Sequence, residues 1–298
     1  MKTFTPIAAA VLFAASGSVL AAGNTAIQNQ NGDMNTQVAV QVGPGNNDNL
    51  IVQDQNGDLN TQVAVQQGGE NDSDIIQIQF GLLNLGVSVQ FGGAFNDALV
   101  IQGGLLNSAV TNQTFALAND ATVIQGGVLN DAEINQVFAA FNDATVIQGG
   151  VLNDADVNQV FAAANDALII QGGVLNEAEI NQVFALANDA TIIQGGVLNE
   201  GEIDQIFAVG SSALKVQVGI LNSGHIMQSG FGHFAAEFQN GVLNEAHTHQ
   251  EDVGHFSSPS RTAMATSTLP ISRASTKPQS QPRPATTTSV LSSSKRIA

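Results

Sequence analysis

Residues 119–141 read NDATVIQGGVLNDAEINQVFAAF, and this stretch decides the fold. In residues 119–125 the odd-numbered positions are Asn, Ala, Val and Gln, and polar or charged residues mostly fall between them. In residues 130–138 the even-numbered positions are Asn, Ala, Ile, Gln and Phe, again with the acids on the other parity. Period-two alternation predicts two half-buried strands with the acids on the solvent-exposed face. The segment GGVL between them predicts a turn.

The same pattern recurs along most of the chain. A Gln, an Asn five residues later and a Gln six residues after that occur ten times between Gln30 and Gln250. The period is a constant 23 residues from Gln79 to Gln217, is slightly longer before and is 22 at the last repeat. Such a period is typical of repeat architectures, in which each unit buries its face against its neighbours. We therefore predict an all-β, two-sheet β-solenoid of about ten strand–turn–strand repeats that can form cross-β (amyloid) stacks.

Stacking the repeats in register places equivalent residues about 4.8 Å apart, in columns along the axis. An amide side chain is both donor and acceptor, so a buried column of identical amides can satisfy itself. Aliphatic residues fill the space between these columns, and phenylalanines form a column near the second turn. The predicted fibre-core ladders are Asn119, Gln125, Asn130, Gln136, Asn142, Gln148, Asn153, Gln159, Asn165, Gln171, Asn176, Gln182, Asn188, Gln194, Asn199 and Gln205.

Glycine pairs occupy the first turn of these repeats. Glycine adopts positive φ without a steric penalty, so each pair is predicted to permit a tight reversal between the two strands. The predicted turn glycines are Gly126, Gly127, Gly149, Gly150, Gly172, Gly173, Gly195 and Gly196.

Composition divides the chain into four parts. Residues 1–21 combine Lys2, an apolar run and small residues near Ala21, which is typical of a cleaved signal peptide. A short membrane anchor is the alternative, but the run is short and lacks a basic flank on its far side. Residues 22–27 form a short polar leader, residues 28–253 the solenoid, and residues 254–298 a Ser/Thr/Pro-rich basic tail predicted to be disordered. A frameshifted or fused end would also explain the composition of the tail.

Charge is distributed unevenly. All 25 acids lie between residues 23 and 253, where Lys215 is the only base. Such a surface excludes electrostatic binding to nucleic acid. In-register stacking predicts outward columns of carboxylates whose repulsion opposes stacking within and between copies, with Lys215 alone to offset it. These columns could bind divalent cations weakly.

The sequence contains no catalytic constellation, so the chain is predicted not to be an enzyme and to use no cofactor. His247 and His249 could ligate a metal, but exposed edge residues are the favoured interpretation, and no metal site is predicted. There is no cysteine, so disulfides do not hold the protein together.

The repeats resemble the curlin repeat of bacterial curli fibres. That pattern is Ser or Asn, five residues, Gln, any, Gly, two residues, Asn, any, Ala, three residues, Gln. Asn119, Gln125, Gly127, Asn130, Ala132 and Gln136 match it, as do the equivalent residues of the next two repeats, and Gly201 replaces the Ala in the fourth. This chain departs from the family in its ten repeats, its missing Gly-rich leader and its tail.

The resemblance implies a secreted subunit that polymerises with itself into an extracellular amyloid fibre at the bacterial cell surface, for biofilm matrix and adhesion. It also implies a nucleator subunit and a dedicated outer-membrane secretion apparatus as partners. A monomeric secreted β-solenoid adhesin or surface-layer protein is the alternative function.

Overall fold

The protein is all-β in a computed structural model that describes residues 9–15, 23–43, 47–258 and 260–266. These residues contain no helix, so none is present there that could cross a membrane. The strands are β1 (Ala9–Ala15), β2 (Thr25–Asn31), β3 (Thr36–Val42), β4 (Leu50–Asp58), β5 (Thr61–Gln67), β6 (Asp74–Leu82), β7 (Leu85–Phe91), β8 (Asp97–Leu105), β9 (Ser108–Thr114), β10 (Asp120–Val128), β11 (Asp131–Val137), β12 (Asp143–Val151), β13 (Asp154–Val160), β14 (Asp166–Val174), β15 (Glu177–Val183), β16 (Asp189–Val197), β17 (Glu200–Val209), β18 (Ser212–Ile220), β19 (Ser223–Phe231), β20 (Phe234–Val253), β21 (Phe256–Ser257) and β22 (Ser260–Thr266).

The chain is a parallel β-solenoid of about ten rungs, as predicted. Each rung from β2 onward gives one strand to a first sheet and the next strand to a second sheet. Every strand pairs in parallel with its equivalent in the next rung, so that Asp120 is in register with Asp143 and Asp131 with Asp154. The tenth rung is a single long strand, β20, which pairs with β18 in the first sheet and β19 in the second.

The period-two pattern sets which side chains face the interior. On β10 and β11, Ala121, Val123, Ala132 and Ile134 are buried, and with their equivalents they form a continuous aliphatic core. The outward residues between them remain in contact with solvent. Burial of this aliphatic core between the two sheets is the main hydrophobic stabilisation of the fold.

The structure assigns different roles to the two glycines of each turn. The second glycine adopts positive φ, as in Gly150 with φ of 117°, and a Cβ there would lie 2.0 Å from the backbone oxygen of Gly173. The first glycine, such as Gly149, is not in the positive-φ region, and a Cβ there would meet nothing within 4 Å. Within each predicted pair, the second glycine thus supplies the positive φ, and the first glycine does not, which applies to Gly126, Gly149, Gly172 and Gly195.

The second turn carries the phenylalanine column on its surface. Phe138, Phe161 and Phe184 stack with ring centroids 5.0–5.1 Å apart, and each is about half exposed. Each of them also has positive φ. The column thus lines one edge of the solenoid rather than its core.

Strands are also present beyond the predicted solenoid boundaries. β1 lies within the segment predicted as a signal peptide and pairs with β3. β21 and β22 lie within the predicted tail and pair with β20 in the first sheet. Residues 256–257 and 260–266 of the predicted tail form these strands because the exposed edge of β20 offers backbone donors and acceptors that pair whatever the sequence. Residues 267–298 of the tail lie outside the described residues.

Candidate functional site

Glutamine ladders run through the interior along the whole solenoid. Gln125 Nε2 donates to Gln148 Oε1 at 2.8 Å, and Gln148 Nε2 donates to Gln171 Oε1 at the same distance. Gln148 Nε2 also donates to the backbone oxygen of Asp131 at 2.6 Å, which ties the first sheet to the second. In the second sheet, Gln136 Nε2 donates to Gln159 Oε1 at 2.9 Å. Each amide thus serves the next rung and the facing sheet at once.

Asparagine ladders support both turns. Asn130 Oδ1 accepts hydrogen bonds from the backbone N and the Nδ2 of Asn153, both at 3.1 Å. At the second turn, Asn119 Oδ1 accepts from the backbone N of Asn142 at 2.9 Å, and Asn119 Nδ2 donates to the backbone oxygen of Ala139 at 3.0 Å. These bonds pair turn groups that would otherwise be buried without partners.

The structure places all sixteen predicted ladder residues in the interior, each no more than 2 % exposed. It also adds amides that the sequence analysis missed. Gln53 and Gln77 are buried at the position that Val123 occupies farther along, and Gln53 Nε2 donates to Gln77 Oε1 at 2.9 Å. Gln37 and Gln62 form a similar pair at 3.1 Å. Extending the register of the central repeats toward the N-terminus would have found them.

Each ladder has a direction, and the first-turn asparagine ladder ends in an open acceptor. Asn222 Oδ1 accepts from the backbone N of Asn244 at 3.1 Å and from its Nδ2 at 2.8 Å. Asn244 Oδ1, the equivalent atom in the last rung, is buried and has no hydrogen-bond partner among the described residues. A buried acceptor without a partner costs about 1–3 kcal/mol. One further rung with an asparagine at this position would supply the missing donors.

The two ends of the solenoid are each covered in one sheet. At the N-terminal end β1 covers β3, and within the described residues β2 has only β4 as a neighbour. At the C-terminal end β22 covers residues 238–244 of β20, and no described strand pairs with the outer side of residues 245–253. One unpaired strand edge therefore remains at each end.

Outward carboxylate columns are present in the middle rungs. Asp156 stands in register between Glu133 and Glu179. Burial, with the charges of Asp154, Glu133, Glu179 and Asp131, raises the pKa of Asp156 to about 6. The pKa values of Asp97, Asp143, Asp154, Glu177 and Asp189 are raised as well, first by burial and then by neighbouring carboxylates.

These columns do not consist of carboxylates from one end of the solenoid to the other. The column of Glu133 begins with Val38 in the first rung and ends with His247 in the tenth. The column of Asp131 begins with Thr36 and ends with Glu245. In a head-to-tail stack the facing end residues of these two columns would not both be carboxylates, so these two columns would add little repulsion between copies.

Lys215 does not offset the outward charge. It is fully buried, at the interior position that Ile192 holds in the preceding rung, and it forms an ion pair with the buried Glu237. Burial lowers its pKa, against the opposing effect of Glu237. Residue parity extended by 23 positions from Ile192 would have placed Lys215 inside.

The two histidines that were considered as metal ligands are exposed, as the favoured interpretation expected. His247 Nε2 lies 3.1 Å from Glu245 Oε1, and His249 Nε2 lies 2.8 Å from Glu251 Oε1. Both side chains are more than 40 % exposed.

No family model matches the chain, and no curated protein matches it. The resemblance to the curlin repeat therefore stays a prediction.

Proposed function

We propose that this chain is the structural subunit of an extracellular, curli-like amyloid fibre that grows by head-to-tail stacking of solenoids. A β-solenoid repeat fold is itself consistent with a structural or adhesin role. The fibre is the more specific hypothesis, and an unpaired acceptor in the interior of the last rung supports it.

The open acceptor of Asn244 is the observation that carries the proposal. In a stacked copy, Asn35 is the first residue of the same column, and Asn35 Oδ1 already accepts from the backbone N of Asn60 at 2.9 Å. The column has one polarity throughout, so the N-terminal end of one copy offers donors where the C-terminal end of another lacks them. Because this head-to-tail contact does not close on itself, repetition produces a filament.

The strands that cover the sheet edges would prevent assembly until they are removed. β22 occupies the edge of β20 on which β2 of the next copy would stack, and β1 occupies the edge of β3. Removal of the proposed signal peptide would take β1 away. Secretion through an outer-membrane apparatus, nucleation by a second subunit and a role in biofilm adhesion belong to the proposal through the curlin resemblance.

A monomeric secreted adhesin or surface-layer protein is the second candidate. The strands β1 and β22 each cover a sheet edge. This favours the monomeric protein, since an edge that stays covered cannot add a strand.

Assembly of the purified chain without residues 1–21 separates the two candidates. We expect thioflavin-positive filaments with a reflection at about 4.7–4.8 Å along the fibre axis. We also expect sonicated filaments to seed fresh protein without a lag. A protein that stays monomeric at high concentration would rule out the fibre and favour the adhesin.

A further inference from the structure

Three potential metal ligands meet on the outer face of the second sheet, where the repeat pattern breaks. Glu202 and Asp204 lie two residues apart on β17, and His225 on β19 is in register with Glu202. One ligand atom from each lies within 4.8 Å of the other two. His225 Nε2 is 3.0 Å from Asp204 Oδ2 and 4.0 Å from Glu202 Oε2.

Among the residues that the structure describes, this combination occurs at one place, because two columns change residue type together. In the preceding rung Glu179 is in register with Glu202, and the next rung replaces this carboxylate with His225. Asn181 is in register with Asp204, so a carboxylate replaces an amide of the asparagine column. An imidazole nitrogen and two carboxylates thus come together, whereas the middle rungs offer carboxylates and amides alone.

A neighbouring amide holds Asp204 in a suitable orientation. Asn181 Nδ2 donates to Asp204 Oδ1 at 2.9 Å, which leaves Oδ2 directed at His225. The Asp204 side chain is 11 % exposed, whereas those of His225 and Glu202 are 29 % and 40 % exposed. The group is therefore anchored on its sheet side and open to ions from solvent. Outer hydrogen bonds of this kind orient the ligands of metal sites in proteins.

We propose that Glu202, Asp204 and His225 bind one divalent transition-metal ion, for which Zn²⁺ is the best fit. Zinc takes imidazole nitrogen and carboxylate oxygen together at about 2.0–2.2 Å, whereas calcium and magnesium take oxygen ligands. Three protein ligands leave one tetrahedral position for water. His247 follows His225 in the same column, with ring centroids 6.4 Å apart, and is the nearest further imidazole of that column.

Zinc titration of the full chain against a competing chromogenic chelator tests the proposal. We expect one tight equivalent per chain, with affinity reduced about tenfold or more in Asp204→Asn and in His225→Gln. Asp204→Asn restores the residue that the column carries in the preceding rungs, so the fold should be retained. His249→Gln, on an exposed histidine outside the cluster, is the matched control and should bind like the unmodified chain.

A second measurement identifies the donor set. Zinc should raise the midpoint of thermal unfolding of the unmodified chain and of His249→Gln but not of Asp204→Asn. The proposal is overturned if the ligand variants bind zinc as tightly as the control, or if calcium competes at the same site with equal affinity. The first result would leave only an ion-paired cluster of His225 and Asp204. Both measurements are made on the unassembled chain, so neither depends on fibre formation.

Discussion

Lys215 and Glu237 form an ion pair inside the solenoid, on neighbouring strands of the first sheet and with both side chains fully buried. The Thr248 hydroxyl donates to the second carboxylate oxygen at 2.7 Å. Two glycines make room for the lysine. A Cβ at Gly224 would lie 2.4 Å from Nζ, and a Cβ at Gly201 would lie 3.0 Å from the lysine Cδ. The loss of the repeat's usual alanine at these positions thus follows from the lysine.

Removing one partner of this pair should destabilise the protein strongly. We expect Lys215→Met to lower the free energy of unfolding by about 3–5 kcal/mol, because it leaves the Glu237 charge buried without its partner. The double variant Lys215→Met/Glu237→Met should recover most of that loss, since neither charge remains in the interior. Urea unfolding of the three proteins measures both effects. A single variant as stable as the unmodified chain would show that Glu237 is not held as a buried anion.

The two glycines of one turn should respond differently to the same substitution. At Gly150 an added Cβ meets the backbone oxygen of Gly173, in a region of φ that alanine disfavours. At Gly149 the space is open. We expect Gly150→Ala to destabilise by more than about 1 kcal/mol and Gly149→Ala to be neutral or stabilising by about 0.4–1 kcal/mol. Thermal unfolding of the pair gives the comparison, and equal losses would contradict the assigned turn.

The amide ladder should be far more sensitive than the outward face of the same strand. Gln148→Leu removes a donor from Gln171 Oε1 and from the Asp131 backbone oxygen, and an acceptor from Gln125. Each unpaired buried group costs about 1–3 kcal/mol, so we expect a marked loss of stability and slower fibre growth. Thr145→Ser, on the outward face, is the control and should change either quantity little. Seeded growth rates and urea midpoints are the measurements, and similar effects from both variants would refute the assigned faces.

Periodicity was sufficient to predict the rungs and the sixteen ladder amides because parity and register both follow from spacing. It did not predict the cluster of Glu202, Asp204 and His225. Those residues meet only when β17 and β19 are placed side by side, and each looks ordinary within its own strand.

The strands at the two ends of the solenoid were not predicted, for a different reason. β1 and β22 lack the repeat pattern, and they pair through backbone groups that every sequence possesses. The different roles of the two glycines in each pair could also be assigned only from the structure. Sequence shows that glycine is tolerated at both positions, but only the backbone geometry shows which one needs it.

Truncation of the tail should expose the edge of the first sheet at the C-terminal end. Arg261 is in register with Gln239 and Thr266 with Asn244, so β22 occupies the next rung without continuing either amide column. We expect a chain ending at Val253 to elongate seeds several-fold faster than a chain ending at Thr266, which keeps β22. Seeded thioflavin kinetics on the two chains, both lacking residues 1–21, measures this. Equal rates would show that β22 does not block strand addition at the C-terminal end.

The carboxylate columns should make the folded state more stable as the pH falls from 7 toward about 4.5. The pKa of Asp156 is about 6 in the folded protein, above its ordinary value of 3.8, so the native state binds this proton more tightly than the unfolded chain does. Unfolding then releases protons in this range, and stability falls as pH rises through about 6. The raised pKa values of Asp143, Asp154 and Glu177 act in the same direction.

Asp156→Asn isolates this effect, because the amide keeps the shape of the side chain and removes the charge between Glu133 and Glu179. We expect the variant to be more stable than the unmodified chain at pH 7, with a flatter dependence of the urea midpoint on pH. Asp54→Asn is the matched control, since Asp54 stands in register with Asn29 and Ile78 and no carboxylate flanks it in its column. Seeded elongation should depend on pH less than stability does, because Thr36 and Val38 at one end would face Glu245 and His247 at the other. A urea midpoint that is constant or falls on acidification to pH 5 would show that the columns do not repel within the folded chain.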